Sequence, residues 1–578
     1  MATKHIVIDP ITRIEGHMRI EVVVDETTNE VVDAFCSSNM FRGIETILKD
    51  RDPRDCGLMA MRICGVCTVT HYQRSIEAVE NAFNVQVPKN ARLMRNIIQG
   101  SLFMHDHLVH YYHLHSLDWV DVLSALEADP ADAVVEAQKW ADVAGEVPWN
   151  NDVATYTDIK DKLTKFVARR RLGIFGNGYW GNRSYKLTPA QNLLAMTHYF
   201  QALEIQRDLG QMMAVFGGKD PHPQSFVVGG VTSIVNMKDP AKIELFRTLA
   251  LRVRQFLKGA YMLDMYMLAD AYKDEMLAGV GGGLKSFLVY GGFPLEDVPI
   301  ESARKLFPGG VVYNGDLNNV IDFDSTLVTE DATHAWYAAT TPEHPYEGTT
   351  TPEYTDFKLI ENGVAYLDTD GKYSWIKSPL YDDKRVEVGP LARMVVGYAR
   401  GDTLIKQYVD NFLSRANMSL ENLYSSTGRT IARAIESELI ADVITDWLDE
   451  LDTNIQGGDT TSWTKFDFAN VSANAQGRGL EEAPRGALGH WVKIANGKVL
   501  NYQAVVPSTW NAGPRDHLGR LGAYEESIKG LVLSNIDEPL EILRTVHSFD
   551  PCIACAVHVI NTQGKELSSF KVSATCTA

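Results

Sequence analysis

Apolar and polar positions alternate early in the chain. Met18, Ile20, Val22 and Val24 fall on one face of an extended segment, and a polar turn at Asp25–Asn29 separates it from Val31–Cys36. With the apolar run His5–Ile8 before it, this pattern predicts a β-hairpin at the N-terminus. The period then lengthens. Across Asp239–Met276 the residues Ile243, Phe246, Ala250, Val253, Leu257, Ala260 and Leu263 recur three or four apart, as one face of a helix does. Thr188-Pro189 opens another helical stretch, with Thr suited to the N-cap and Pro to the first turn, and Gly217-Gly218 closes it. Similar patterns cover about 90–126, 402–416 and 429–451. Several long helices of this kind pack most simply as a central bundle. The Gly- and Pro-rich region from about 280 to 390 reads as loops and small hairpins, with turn signals at Asn362-Gly363 and Asp370-Gly371. The predicted class is α+β, mainly helical, a bundle with small peripheral sheets.

Length adds little to this. At about 150 residues per domain, 578 residues allow two to four units, yet no repeat, low-complexity tract or linker marks a cut. Charge says more. With 55 basic and 74 acidic residues the net charge is −19, which repels phosphate backbones and argues against a nucleic-acid partner. No apolar run reaches the roughly 18 residues of a membrane helix. The N-terminal MATKHIVIDP has no apolar core or cleavage site, so the chain is expected to carry no export signal of its own.

Seven cysteines are too few for a disulfide framework at this length. Four of them form two pairs of identical spacing, Cys64-Gly-Val-Cys67 and Cys552-Ile-Ala-Cys555, near opposite ends of the chain. Such turns aim two sulfurs at one point, and two turns can make a four-sulfur metal site. Spacing alone leaves open a structural zinc, a redox-active metal and two unrelated dithiols. Zinc staples usually close short local loops, which these pairs do not.

The surroundings of the pairs narrow the choice. Arg62-Ile-Cys64-Gly-Val-Cys67-Thr-Val-Thr-His71 and Asp550-Pro-Cys552-Ile-Ala-Cys555-Ala-Val-His558 resemble the two signature motifs of nickel–iron hydrogenase large subunits. Asp9-Pro-Ile-Thr-Arg-Ile-Glu15-Gly-His17, Phe41-Arg-Gly-Ile-Glu45, His105-Asp106-His107, Gly178-Tyr-Trp-Gly181, Gly218-Lys-Asp-Pro-His-Pro223, Pro484-Arg485-Gly486 and Val505-Val-Pro-Ser508-Thr also match, in the family's order and from end to end. The pattern is most similar to uptake enzymes of the periplasmic or membrane-bound group. Respiratory quinone-oxidoreductase subunits of the same fold have lost the cysteine pairs, so retaining all four argues against that relative.

The resemblance implies an activity and a set of roles. The activity is reversible heterolytic cleavage of dihydrogen, probed in the cell as hydrogen uptake. Cys64 and Cys552 would be terminal nickel ligands, and Cys67 and Cys555 would bridge nickel to an iron that carries carbon monoxide and two cyanides. Cys552 or Arg485 could serve as base; donation from Arg485 to a cyanide nitrogen, with Ser508 at the other cyanide, fits an ordinarily protonated guanidinium better. Glu15 would take the first proton beyond the metals. Glu45, the main-chain carbonyl of Ala504 and His558 would hold magnesium or a similar divalent cation. Asp106 and Asp550 would be charged neighbours of the centre, and His71 would hydrogen-bond a bridging sulfur.

The stretch His105–His115 offers helically spaced histidines that are expected to be packing residues, with Cys36 and Cys56 plain buried thiols. Residues 1–558 would form one large-subunit domain. Residues 559–578 would be an extension removed by a maturation protease between His558 and Val559 once nickel-insertion proteins have acted, and Cys576 in it is not counted as a ligand. With no cysteines left for an electron relay, an iron–sulfur small subunit is the expected partner, with a membrane cytochrome b beyond it. Export with that partner would place the chain in the periplasm or at the membrane, with cytoplasmic residence still open.

Overall fold

Helix capping sets the frame of the fold. In this computed structural model, which describes residues 2–169, 173–361, 364–468 and 474–556, Thr188 and Gln191 cap one another reciprocally at the start of a 29-residue helix. Gly218 ends it in the left-handed conformation, φ 81°. The helices that matter for the site are α1 (Thr70–Phe83), α2 (Lys89–Val109), α3 (Pro189–Gly217), α4 (Pro240–Phe256), α5 (Met262–Ala271) and α6 (Ser426–Gln456). Buried on most sides, α6 packs against α2, α4 and α5, while α3 covers α2 and α4. Their apolar faces merge into one continuous core, the expected bundle.

Two of the expected helices are interrupted. Instead of running on past residue 109, α2 widens into a π-helical turn, His110–His115, and then a tighter turn at Ser116–Asp118. Likewise α4 passes through a π-helical turn, Leu257–Tyr261, before α5. The two wide turns meet: the Tyr111 and Tyr261 rings stack with centroids 5.2 Å apart. One extra residue per turn leaves the apolar pattern almost unchanged, so periodicity does not reveal it.

The N-terminal hairpin is the core of a three-stranded antiparallel sheet, β1 (Thr3–Ile8), β2 (Met18–Asp25) and β3 (Glu30–Ser38). A second antiparallel sheet, β4 (Asn474–Ala483), β5 (Gly486–Ala495) and β6 (Lys498–Val505), lies in a stretch where no clear alternation foretold it. Most of β5 is buried on both faces, which erases the alternation. Between residues 280 and 390 the chain forms two-stranded ribbons, as expected, including Leu359–Glu361 paired with Val364–Tyr366; their connecting Asn362-Gly363 lies outside the described residues. Among the described residues no helix is long and apolar enough to cross a membrane.

Helix α1 follows directly on the first cysteine pair and lies against β4. Glycines make that approach possible: a Cβ on Gly479 would sit 2.1 Å from the Arg74 carbonyl oxygen, and one on Gly477 2.2 Å from that of Ala78. Gly479→Ala must therefore push α1 off the sheet. We expect a loss of about 1–3 kcal/mol of stability, read as a lower urea midpoint at unchanged slope.

Candidate metal centre

The four paired cysteines meet. All four are free and buried, with their sulfurs within 4.8 Å of one another although Cys64 and Cys552 are 488 positions apart. Cys64 lies 3.2 Å from Cys552, Cys67 lies 3.3 Å from Cys555, and Cys552 and Cys555 are 2.9 Å apart.

Each cysteine turn is held by its backbone. The Cys64 sulfur accepts from the amides of Val66 and Cys67, both at 3.2 Å. Arg42 donates to the carbonyls of Ile63 and Arg62, and His222 Nε2 reaches the Cys64 carbonyl at 3.0 Å. Arg42 and His222 lie inside the quoted motifs, but spacing gave no sign of this role. The second turn is fixed by the N-terminus. Glu15 forms a parallel bridge with Cys552: its amide donates to the Pro551 carbonyl and its carbonyl accepts from Ile553. Gly16, at φ +83°, permits the contact, because a Cβ there would lie 2.4 Å from the Ala554 nitrogen.

Glu15 is thereby aimed at the sulfurs. Its Oε2 accepts from the Ala554 amide at 2.9 Å and lies 3.4 Å from the Cys552 sulfur. Burial and then the negative charge of Cys64 raise its pKa to about 7, against opposing hydrogen bonds from Ala554 and Cys552. Arg485, on the tight turn between β4 and β5, is committed in three directions. It donates to Asp106 at 2.9 Å, to the Asp550 carboxylate at 3.0 Å and to the Asp550 carbonyl at 3.1 Å. Burial works against its charge, yet Asp550, Cys552 and Asp106 outweigh it and hold the guanidinium well above its ordinary pKa. A base at this position is therefore disfavoured, and a donor is favoured. Ser508 accepts from the Cys552 amide at 3.0 Å and lines the sulfur cavity with Thr70, His71 and Arg485.

The donor set fits a soft metal centre. Burial opposes ionisation of the thiols, but hydrogen bonds from Cys552, Cys555 and Cys67, with the Arg485 charge, bring Cys64 well below a free thiol. Four soft donors gathered in one buried cavity suit a soft cation, and metal binding drives the release of thiol protons.

The other expected residues divide. His71 borders the cavity, with its Nδ1 3.0 Å from Nε2 of His490, which in turn meets the Tyr502 hydroxyl. Glu45 accepts from the Ala504 amide at 2.9 Å and from Thr350, so what reaches it from Ala504 is the N–H. Lys377 bridges Glu330 and Gln503 beside this carboxylate, at 2.9 Å to each. Thr350 and Lys377 come from irregular segments, Glu330 from the short strand Val328–Asp331 and Gln503 from β6, and no signal in the sequence singles them out. His558, Val559 and Cys576 lie outside the described residues. The histidines of 105–115 are engaged by protein groups: His107 by Glu436, His110 by the His547 carbonyl, His113 by the Tyr199 carbonyl. His115, Asp118 and His547 cluster closely enough for a cation, but Asp118 already carries the Arg13 guanidinium at 2.5 Å.

Comparison with known proteins agrees with this geometry. The family model described as nickel-dependent hydrogenase matches residues 42–558, and a HoxL-like model matches residues 5–37. The quinone-reactive Ni/Fe-hydrogenase large chain of Wolinella succinogenes is 45% identical, covering 99% of this chain and 98% of that one. The uptake hydrogenase large subunit of Bradyrhizobium diazoefficiens is 43% identical, over 98% of this chain and 97% of its own length. Among solved structures, the Ni-Fe-Se hydrogenase of D. vulgaris Hildenborough superposes with a TM-score of 0.75 at 33% identity, over 96% of this chain and 100% of that one.

The Gly16 contact can be tested directly. Gly16→Ala should leave the helical bundle folded by circular dichroism while metal content of the purified protein falls well below that of the parent chain. Full metal occupancy in the variant would contradict the proposed closure.

Proposed function

The chain belongs to the nickel-dependent hydrogenases as a catalytic large subunit of the uptake type, and on that premise we propose how its residues share the work. The enzyme cleaves dihydrogen, its centre uses nickel and iron, and it works with a small subunit. The observation that carries the proposal is the meeting of four buried free thiols with Glu15 and Arg485.

In our reading Cys64, Cys67, Cys552 and Cys555 would hold nickel and iron, Cys64 and Cys552 as ligands to nickel alone and Cys67 and Cys555 as ligands shared between the two metals. When bound, the metals supply the Lewis acidity that splits dihydrogen heterolytically. The protein's part is proton handling and charge compensation. Glu15 receives a proton from Cys552: its carboxyl is 3.4 Å from that sulfur and changes charge near pH 7, so it can take and release protons under working conditions. Arg485, kept protonated by Asp106 and Asp550, offsets the thiolate charge and would donate to a cyanide nitrogen on iron. Ser508 still has a hydroxyl proton to give while its oxygen accepts from Cys552, and serves the second cyanide. The carbon monoxide and both cyanides on iron are part of this proposal. His71 tunes a bridging sulfur.

A hard divalent cation, magnesium by its oxygen donors, would be held by the buried Glu45 carboxylate, the main-chain carbonyl of Ala504 and His558, with Lys377, Glu330 and Gln503 beside Glu45. Residues 1–558 act as one domain, and a protease removes 559–578 after nickel-insertion proteins have loaded the site. The small subunit carries iron–sulfur clusters and passes electrons on to a membrane cytochrome b, with the pair exported together.

Infrared spectroscopy of the protein purified with its small subunit should show one carbon monoxide and two cyanide stretches, with stoichiometric nickel. Zinc in fully processed protein, without those bands, would overturn the reading. Glu15→Gln should retain both metals and lose at least about 100-fold in hydrogen turnover.

A further inference from the structure

Helix α1 carries a polar stripe whose buried middle, at Gln73 and Glu77, packing alone does not explain. Thr70, Gln73, Glu77, Asn81 and Asn84 are spaced three or four apart and so share one face, with Glu80 beside them. The stripe begins at the centre, where Thr70 lines the sulfur cavity together with Cys67, Cys552 and Cys555. From one turn on, Gln73, Glu77, Glu80, Asn81 and Asn84 line a second cavity of about 90 Å³, which reaches the surface where Asn84 and Gln86 are exposed.

Between these two openings stand two polar side chains that are almost completely buried. Gln73 is 2% exposed and Glu77 3%. Gln73 Nε2 donates to Glu77 Oε1 at 3.1 Å, while Gln73 Oε1 has no hydrogen-bond partner among the described residues. A purely structural glutamine in a core would not be left this way, since an unmet buried acceptor costs about 1–3 kcal/mol. Water admitted by the neighbouring cavity would meet the need.

The cations facing Glu77 are shared with other acids. From its own helix come Arg74, with Nε 3.0 Å from Glu77 Oε2, and Glu80; Glu481 faces it from β4, Arg95 from α2 and the buried Lys305 from the strand Lys305–Phe307. Arg74 also bonds Glu481 and Gln99, and Arg95 is taken by both oxygens of Glu80 at 2.9 and 2.7 Å. Each cation is thus shared with or owned by another acid. Burial dominates, the charges nearly cancel, and the Glu77 pKa rises to about 7.

We propose that Glu77 is a proton-relay residue on a second exit from the metal centre, running along α1 from Thr70 past Gln73 to the open cavity. Thr70 and Gln73 are one turn apart, so their Cβ atoms lie about 5–6 Å from each other, a gap that one water can bridge. A proton leaving a sulfur forms a new O–H bond on the Thr70 oxygen as the Thr70 hydroxyl proton passes to the bridging water beside Gln73 Oε1, and that water gives one of its own protons to the Glu77 carboxylate, so that Thr70 and the water end as they began. Glu77 then returns the proton to water in the outer cavity, so no electron moves and no oxidant is needed. The inference rests on hydrogen cleavage at the four cysteines, but not on the role given to Glu15.

The test uses the complete enzyme with its small subunit. Glu77→Gln keeps the shape and removes the acid. We expect roughly tenfold slower hydrogen oxidation, a larger solvent deuterium isotope effect, and unchanged nickel, iron and thermal midpoint. In Glu77→Ala, formate or imidazole added to the buffer should restore turnover, because the cavity admits small weak acids. A merely structural residue would not be rescued so. Independently of metal, the infrared band of a protonated carboxyl that titrates near pH 7 should be weaker in Glu77→Gln than in the parent chain. Unaltered turnover and isotope effect in Glu77→Gln, or a loss in Glu77→Ala that neither acid restores, would overturn the proposal. If Glu15→Gln stays active while Glu77→Gln is slow, the Glu15 assignment fails and this one stands.

Discussion

Burying four sulfur atoms that must give up their protons is the demand on which the rest of the structure depends. Thiolates in a medium closed to water are costly unless a cation and hydrogen bonds stand close by. The protein answers with Arg485, and Arg485 is itself tied to Asp106 at the end of α2 and to Asp550 just before the second cysteine pair. One guanidinium therefore couples the helical bundle, the β4–β5 turn and the C-terminal segment. Around it the same device recurs. Arg393 joins Glu436 on α6 to Glu482 on β4, and Arg429 on α6 pairs with Glu387, all of them buried. Buried ion pairs are poor sources of stability, but they tolerate only one arrangement. The consequence here is registry between helices and sheet near the centre, which a purely apolar core would hold less strictly.

The two ends of the chain close the site. The parallel bridge between Glu15 and Cys552 brings a carboxyl to a sulfur through main-chain bonds, so its position does not depend on a flexible side chain alone. His547 extends the same clamp. Its ring meets Asp118 at 2.6 Å and the Thr12 carbonyl at 2.8 Å, joining the tighter turn that follows α2's wide turn to both chain ends. What looks in sequence like a histidine-rich metal motif is in large part this framework.

Much of this was legible beforehand, and for identifiable reasons. Metal chemistry was written in the spacing of four cysteines, and helix limits in Thr188-Pro189 and Gly217-Gly218, because caps and soft ligands depend on residue type at fixed offsets. Long-range partners were not. Nothing local distinguishes Lys377 or Glu330 from other charged residues, and their placement beside Glu45 depends on the fold as a whole. The sheet from 474 to 505 escaped notice since burial on both faces and glycines packed against α1 remove the alternation that betrays a strand. The wide turns after α2 and α4 escaped too, because one added residue barely disturbs a helical period.

The 488 positions between Cys64 and Cys552 also set a clock. A ribosome adding about 5–20 residues per second needs roughly 25–100 s to travel from one to the other. Through that interval the first thiol pair is already made, while its partners, and the Asp550 that steadies Arg485, do not yet exist. The centre cannot begin to form while the chain is being built, and the early sulfurs must be shielded from stray metals and oxidants until synthesis is nearly over. Premature capture of an abundant cation by two thiols is the hazard this topology creates, and completion of the chain is the event that ends it.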